Sequence, residues 1–214
     1  VVEVIGGIEP ARSLIIQAIR EGKSVVTANK AVIARHGKEI ATEAKAAGVY
    51  VLIEAAVGGG IPIIEPLKQS LGGNQINKVS GIINGTTNYI LSRMDTEGVN
   101  YEDVLKEAQE LGYAESNPAA DVEGLDAADK IAILSGLAFG GAIKRADIPT
   151  AGINLLEGID VNYAKRLGYG IKLLAISERN NTQFRNNESL PLSIWVEPTL
   201  VPKDHPLAGV NGVN

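Results

Sequence analysis

The sequence contains no cysteine among its 214 residues. That absence excludes disulfide bonds, thiolate zinc sites and cysteine nucleophiles together. No run reaches the ~18–20 consecutive apolar residues of a membrane-spanning helix. The nearest approach, residues 131–143 (IAILSGLAFGGAI), is short and rich in small residues and reads as a buried core helix. An excess of basic charge is also missing, since 20 Lys and Arg stand against 25 Asp and Glu for a net charge of -5. Nucleic acid and anionic membranes favour basic surfaces, so neither is expected as a partner. There is no secretory signal pattern, no low-complexity tract and no repeat at a solenoid period. Three N-x-S/T sequons, at Asn84, Asn180 and Asn187, are therefore taken as silent, and the expected compartment is cytoplasmic. The two histidines are isolated; His36 is expected on a helix surface and His205 in an extended, proline-flanked loop.

What is present is apolar material for a core: 45% of residues are hydrophobic and 21% charged. That balance fits a folded chain of one or two domains. The chain opens on Val1-Val2-Glu3-Val4-Ile5, without an initiator methionine, and is expected to have been cut within a buried strand. The continuous β-branched run over residues 1–5, broken by Gly6-Gly7, reads as a parallel strand buried on both faces. Ala11, Leu14, Ile15, Ala18 and Ile19 recur at helical spacing, predicting a helix over 9–21. A strand over 24–27, a helix over 31–47 and a strand over 49–57 complete a βαβαβ rhythm, the mark of a doubly wound parallel sheet. Beyond it, Pro62 is expected to start a helix through 71. A strand over 75–83, helices over 86–96, 101–111, 124–139 and 162–169, and strands over 171–177 and 191–197 follow. The expected fold class is α/β: a partial Rossmann-type parallel sheet over 1–57, followed by an α+β catalytic and dimerisation domain over 58–214.

Four segments carry enough polar chemistry to form a site. Residues 115–130 hold five carboxylates and one lysine, and Asp126 and Lys130 lie four apart, on one face of a helix. One reading is a solvated helix start with an exposed ion pair. The other is a site in which Lys130 exchanges protons while carboxylates hold an ammonium group. Thr27-Ala28-Asn29-Lys30 ends a predicted parallel strand, where ligands of open α/β sheets bind, so Lys30 is either a loop lysine or a ligand contact. Glu54 through Pro62 contains three consecutive glycines; it is a sharp turn, an anion site made of amides, or a carbonyl site for a hard cation. Asn84-Gly85-Thr86-Thr87 leaves a strand and enters a helix, and Thr86 is weighed as its N-cap.

Taken in order, TANK at 27–30, EAAVGGGIPII at 54–64, GIINGTTNYIL at 81–91, LGYAESNPAADVEGLDAADK at 111–130 and HPLAGV at 205–210 resemble the homoserine dehydrogenase family over nearly the whole chain. The second and third of the long blocks, GIINGTTNYIL and ADVEGLDAADK, are the most specific. The resemblance implies interconversion of L-homoserine and L-aspartate 4-semialdehyde with NAD or NADP, in the biosynthesis of threonine, methionine and isoleucine. By matching position it makes Lys130 the proton-transferring residue, Lys30 a second lysine near substrate and nicotinamide, and Asp126 a third catalytic group. Glu115, Asp121 and Asp126 are implied to bind the substrate amino group, and Gly85, Thr86 and Tyr113 to line its pocket. Gly6, Lys30, Gly112 and Glu115 are implied cofactor contacts, and Glu54, Val57, Gly59 and Ile61 a monovalent cation site, typically for sodium. A homodimer is implied as well. The sequence departs from the family pattern at Asn117, where Asp is usual, and Asp129 sits at a variable place. The family's G-x-G-x-x-G is absent from residues 1–214. Two other readings stay open: another NAD(P)-dependent dehydrogenase of a small hydroxy acid or aldehyde, and an oligomerisation fragment without catalysis.

Overall fold

The computed structural model describes residues 1–141, 143–179 and 192–212, which divide into two bodies. The first comprises Val1–Asn77 and Asp129–Asp147, the second Lys78–Ala128 and Ile148–Asn214.

In the first body, β-branched residues build three short strands, β1 (Val2–Glu3), β2 (Val25–Thr27) and β3 (Val51–Leu52). They pair in parallel in the order β1-β2-β3, with Val2 opposite Val26 and Val25 opposite Val51. Helices α1 (Ala11–Arg20) and α2 (Lys30–Ala47) are the crossovers. Their apolar stripes are buried, Ile15, Ile16 and Ile19 on α1 and Val32, Ile33 and Ile40 on α2, as amphipathic periodicity requires. Helix α2 ends at Gly48, whose φ of 66° is the left-handed C-cap that glycine supplies at least cost.

The strand expected over 1–5, buried on both faces, is reduced to Val2–Glu3, with Glu3 buried and Val1, Val2, Val4 and Ile5 exposed. Two further elements of this body are shorter than their periodicity suggests. The strand expected over 49–57 stops at Leu52 and passes into a 3₁₀ turn, Glu54–Ala56. The helix expected from Pro62 forms later, as a π-type turn over Pro66–Ser70. One contact accounts for both. The Glu54 carboxylate accepts the amides of Ile63, Ile64 and Glu65 at 2.6, 2.9 and 2.8 Å, which folds the chain back and consumes those donors. Pro66, which has no N–H to satisfy, then opens the turn.

In the second body, β4 (Lys78–Gly81), β5 (Tyr169–Arg179) and β6 (Leu192–Pro202) form an antiparallel sheet in that order. The β5–β6 ladder runs from Tyr169 opposite Pro202 to Arg179 opposite Leu192. Ile82, Leu174, Ile176 and Val201 form a buried cluster, against which Trp195, Leu207, Ala208 and Val210 pack. The helices are α3 (Gly85–Glu97), α4 (Tyr101–Glu110), α5 (Ala119–Val122), the first residues of α6 (Leu125–Phe139), and α7 (Gly158–Arg166). Helix α7 begins four residues before the expected start. Its capping box is made by Glu157 and Asp160, with the Glu157 amide donating to Asp160 at 2.9 Å. His205 lies in a hydrogen-bonded turn, not an extended loop: its imidazole accepts the Leu207 amide at 3.1 Å and its own amide donates to Pro202 at 2.9 Å. The sequons at Asn180 and Asn187 lie outside the described residues.

The architecture is thus α/β, with a parallel three-stranded sheet in one body and an antiparallel one in the other. Among the described residues, no helix is long and apolar enough to cross a membrane.

Candidate functional site

In the second body, polar chemistry gathers at the N-terminus of α3. Asn84, not Thr86, is the N-cap. Its Oδ1 accepts the Thr87 amide and the Thr87 hydroxyl, each at 2.9 Å. Its Nδ2 donates to Asp121 at 2.6 Å and to Asp126 at 3.0 Å. One buried amide therefore draws two carboxylates together without neutralising either, which leaves the cluster suited to a cation with several donors. Asp126 is only 6% exposed, so the solvated helix start is not the arrangement observed. Thr86 instead donates to the Tyr113 carbonyl at 2.7 Å. The Tyr113 ring lies 5.0 Å from that of Tyr89 at 52°, a tilted aromatic pair. Gly85 is the exposed first residue of α3, and Gly112 makes the turn after α4 with φ of 77°. Glu115 is exposed, and its carbonyl accepts from Gln109 at 3.0 Å.

In the first body, the carboxyl ends of β1 and β2 are tied to the start of α2. Buried Glu3 accepts from the Thr27 hydroxyl at 2.5 Å, the Ile5 amide at 2.8 Å and Asn29 Nδ2 at 3.4 Å. Asn29 caps α2 by accepting the Val32 amide at 3.1 Å, and its Nδ2 holds the Gly7 carbonyl at 2.7 Å. Lys30, the first residue of α2, is thereby fixed at the sheet edge where open α/β sheets bind nucleotides. At the same edge Gly6, with φ of 82°, has no atom within 4 Å of where a Cβ would lie, so its backbone is open to a close-lying group. These residues fit one end of a dinucleotide site.

Burial pushes the Glu3 carboxyl up, but its bonds from Thr27, Ile5 and Asn29 outweigh burial and hold it below the ordinary glutamate range. A depressed folded-state pKa contributes stability above the unfolded value of about 4.3, and that contribution is lost as acid titrates the folded group. Urea unfolding at about pH 6 and about pH 3.5 should show a larger acid loss for wild type than for Glu3→Gln. Equal losses would mean that Glu3 is not held in this way.

The Glu54 turn is more restricted than the sequence reading allowed. The amides of Ile63, Ile64 and Glu65 are taken by Glu54, so they do not form an anion site. Burial opposes ionisation of Glu54, yet those three amides keep its carboxyl below the ordinary range. A cation drawn to this turn would meet main-chain carbonyls. Gly58 and Gly59, at φ of 84° and 58°, shape that backbone, and the Gly58 carbonyl accepts the Ile61 amide at 3.0 Å. Val57 is buried, whereas Gly59 and Ile61 are exposed. No cluster of three or more His, Cys, Asp or Glu side chains suited to a metal occurs among the described residues.

Lys130 is half-buried on α6, one turn after Asp126 on the same continuous helix. Sequence reading gave no role to Asn84, Glu3 or Asn29. The available signal was a cap-forming Asn at each strand-to-helix junction.

Comparison with known proteins points to one family. Residues 62–214 match the family described as homoserine dehydrogenase, and residues 1–54 match the homoserine dehydrogenase NAD binding domain. The chain is 62% identical over 213 residues to a homoserine dehydrogenase of Synechocystis sp., covering 100% of this chain and 48% of that protein. It is 51% identical to that of Corynebacterium glutamicum, over 99% of this chain and 47% of the relative. A crystal structure of a homoserine dehydrogenase from Thiobacillus denitrificans superposes with a TM-score of 0.93 at 51% identity, covering 99% of this chain and 47% of that one. A hyperthermophilic archaeal homoserine dehydrogenase in complex with NADPH gives a TM-score of 0.76 at 29% identity, over 97% and 57% of the two chains. The chain thus spans about half the length of the curated relatives it matches, 48% and 47% of the two named.

Proposed function

Because the chain belongs to the homoserine dehydrogenase family, we propose that it carries the substrate-converting part of an oxidoreductase interconverting L-homoserine and L-aspartate 4-semialdehyde with NAD(P)(H). The observation that carries this reading is Asn84 holding Asp121 and Asp126 at the start of α3, with Lys130 one turn beyond Asp126 on α6.

Homoserine presents an ammonium, a carboxylate and a primary hydroxyl. Asp121 and Asp126, with Glu115, pair with the ammonium, while Gly85, Thr86 and Tyr113 shape the pocket around the carbon chain. Lys130 takes the hydroxyl proton as the carbonyl forms and returns it in the reverse direction. Asp126 holds the charged neighbourhood of that amine, and Lys30 orients substrate at the sheet edge. Gly6, Lys30, Gly112 and Glu115 contact the dinucleotide. When bound, NAD(P) supplies the two-electron redox chemistry at the hydroxyl-bearing carbon. The carbonyls of Glu54, Val57, Gly59 and Ile61 hold a monovalent cation such as sodium. In this reading residues 1–57 are the C-terminal part of the dinucleotide-binding domain. Residues 58–214 are the catalytic, substrate-binding and dimerisation domain of a cytoplasmic homodimer.

The test is an assay of the full-length protein with L-homoserine and each of NAD and NADP. Reduction of at least one cofactor is expected, with stoichiometric semialdehyde. The analogue lacking the amino group leaves the acidic pair without its cation, so its kcat/KM should be lower by about 100-fold or more. No reduction with either cofactor would overturn the reading. Equal use of the analogue would remove the acidic pair from substrate recognition and favour a dehydrogenase of another hydroxy acid.

A further inference from the structure

The carboxylate that the family pattern leaves unassigned, Asp129, joins three separate segments. Its Oδ1 accepts from Arg145 Nε at 2.9 Å, and its Oδ2 from Arg35 Nη1 at 3.0 Å. Arg35 lies on α2, and Arg145 opens the 3₁₀ turn Arg145–Asp147. Asp129 and Arg145 side chains are 9% and 12% exposed. The Arg35 guanidinium is itself anchored, its Nη1 also donating to the Ala31 carbonyl at 3.1 Å. All of these residues belong to the first body.

A second observation shows why the bridge matters. Beyond it, α2 and α6 do not close on each other. Ile33, Gly37 and Ile40 of α2 and Ala132, Ile133 and Gly136 of α6 line a largely apolar cavity of about 740 Å³. Side-chain interdigitation therefore does little to set the spacing of these helices, and a short polar bridge does more. The bridge sits one residue before Lys130 and five after Lys30. Successive helical residues are rotated by about 100°, so Asp129, turned towards α2, and Lys130 leave α6 in different directions.

We propose that Asp129, clamped between Arg35 and Arg145, is a positioning residue that sets helix α6, and with it Lys130, against helix α2, whose first residue is Lys30. The inference rests on the reading of both lysines as parts of the reaction site. Displacement by about 1 Å of a group that must meet a reacting atom is enough to cost about 100-fold in rate. Removing the carboxylate also leaves the Arg145 charge, largely buried, without its partner.

In the full-length protein, Asp129→Asn and Arg35→Ala should each lower kcat per active site by about 10- to 100-fold, with KM for NAD(P) within about 2-fold of wild type. Active sites are counted by NADPH binding, so loss of folded protein does not enter the figure. Arg35→Lys keeps one cationic donor and should recover most of the rate, whereas Arg35→Met, which keeps an apolar stem of similar length without the charge, should not. Hydrogen exchange supplies a readout independent of turnover: amides over 130–136 should exchange faster in Arg35→Ala. If Asp129→Asn does not fold, Arg35→Ala, whose side chain is 36% exposed, decides the matter. A kcat per site within about 2-fold of wild type in the folded variants would overturn the proposal. If wild type turns over no homoserine, the proposed function fails alone. Exchange then still decides the bridge, and unchanged protection over 130–136 would refute it.

Discussion

Replacing Lys130 with alanine in the full-length protein is expected to lower turnover of L-homoserine by about 10²- to 10⁴-fold, the range of a positioned general acid–base. The fold should tolerate the change. Lys130 is half-buried in the interior of α6, and alanine has the most favourable helix propensity. Thermal midpoint and NADPH affinity should therefore stay close to wild type, which separates loss of chemistry from loss of structure. A group that acts only in the transition state lowers kcat and kcat/KM together. Lys130→Arg sharpens the test, because arginine keeps the positive charge yet does not release a proton in proteins. It should be as inactive as the alanine variant. An active arginine variant would reduce Lys130 to an electrostatic role, and near-wild-type turnover of Lys130→Ala would remove it from the mechanism.

What the sequence made legible was whatever depends on neighbours in the chain. The 3.6-residue stripes of α1 and α2 report burial locally, and the βαβαβ rhythm gives the parallel sheet, whereas the β-branched run over residues 1–5, read as buried on both faces, leaves Val1, Val2, Val4 and Ile5 exposed. What it hid depends on distant partners. The period of a strand continues through residue 57, but the Glu54 side chain takes amides nine to eleven residues away and ends it early. Thr86 and Asn84 are both acceptable N-caps by composition, and only the backbone of Asn84, extended at φ of −129°, chooses between them. Helix α7 starts early because Glu157 and Asp160 cap it reciprocally, a box in which Glu replaces the usual Ser or Thr. From the chain alone Asp129 is only a variable position beside Lys130, because its partner Arg35 is 94 positions away. The site's residue types were readable; its supports were tertiary.

Gly152→Ala is expected to be the most destabilising small substitution near that site. A Cβ at Gly152 would lie 2.1 Å from the Val122 carbonyl oxygen and 2.4 Å from Glu123 Cα. Both are backbone atoms, so no side chain can swing away to relieve the overlap. The segment is held from both sides. The Ile153 amide donates to Val122 at 2.7 Å, and the Ala151 amide donates to the Val196 carbonyl on β6 at 2.8 Å. Gly124, at φ of 78°, lies in the same crowded turn, where a Cβ would meet Thr150 Cγ2 at 3.1 Å. Residues 122–125 link Asp121 to Asp126, so relief of the overlap must move the two carboxylates that Asn84 holds. Overpacking against backbone with loss of a short hydrogen bond should cost roughly 3 kcal/mol or more in urea unfolding. KM for homoserine should rise in whatever fraction folds. Gly170→Ala on β5 is the control, since no atom lies within 4 Å of its Cβ position and its φ is not positive. Gly152→Ala unfolding within about 1 kcal/mol of wild type would show that the turn yields freely, and that the spacing of Asp121 and Asp126 is set by Asn84 alone.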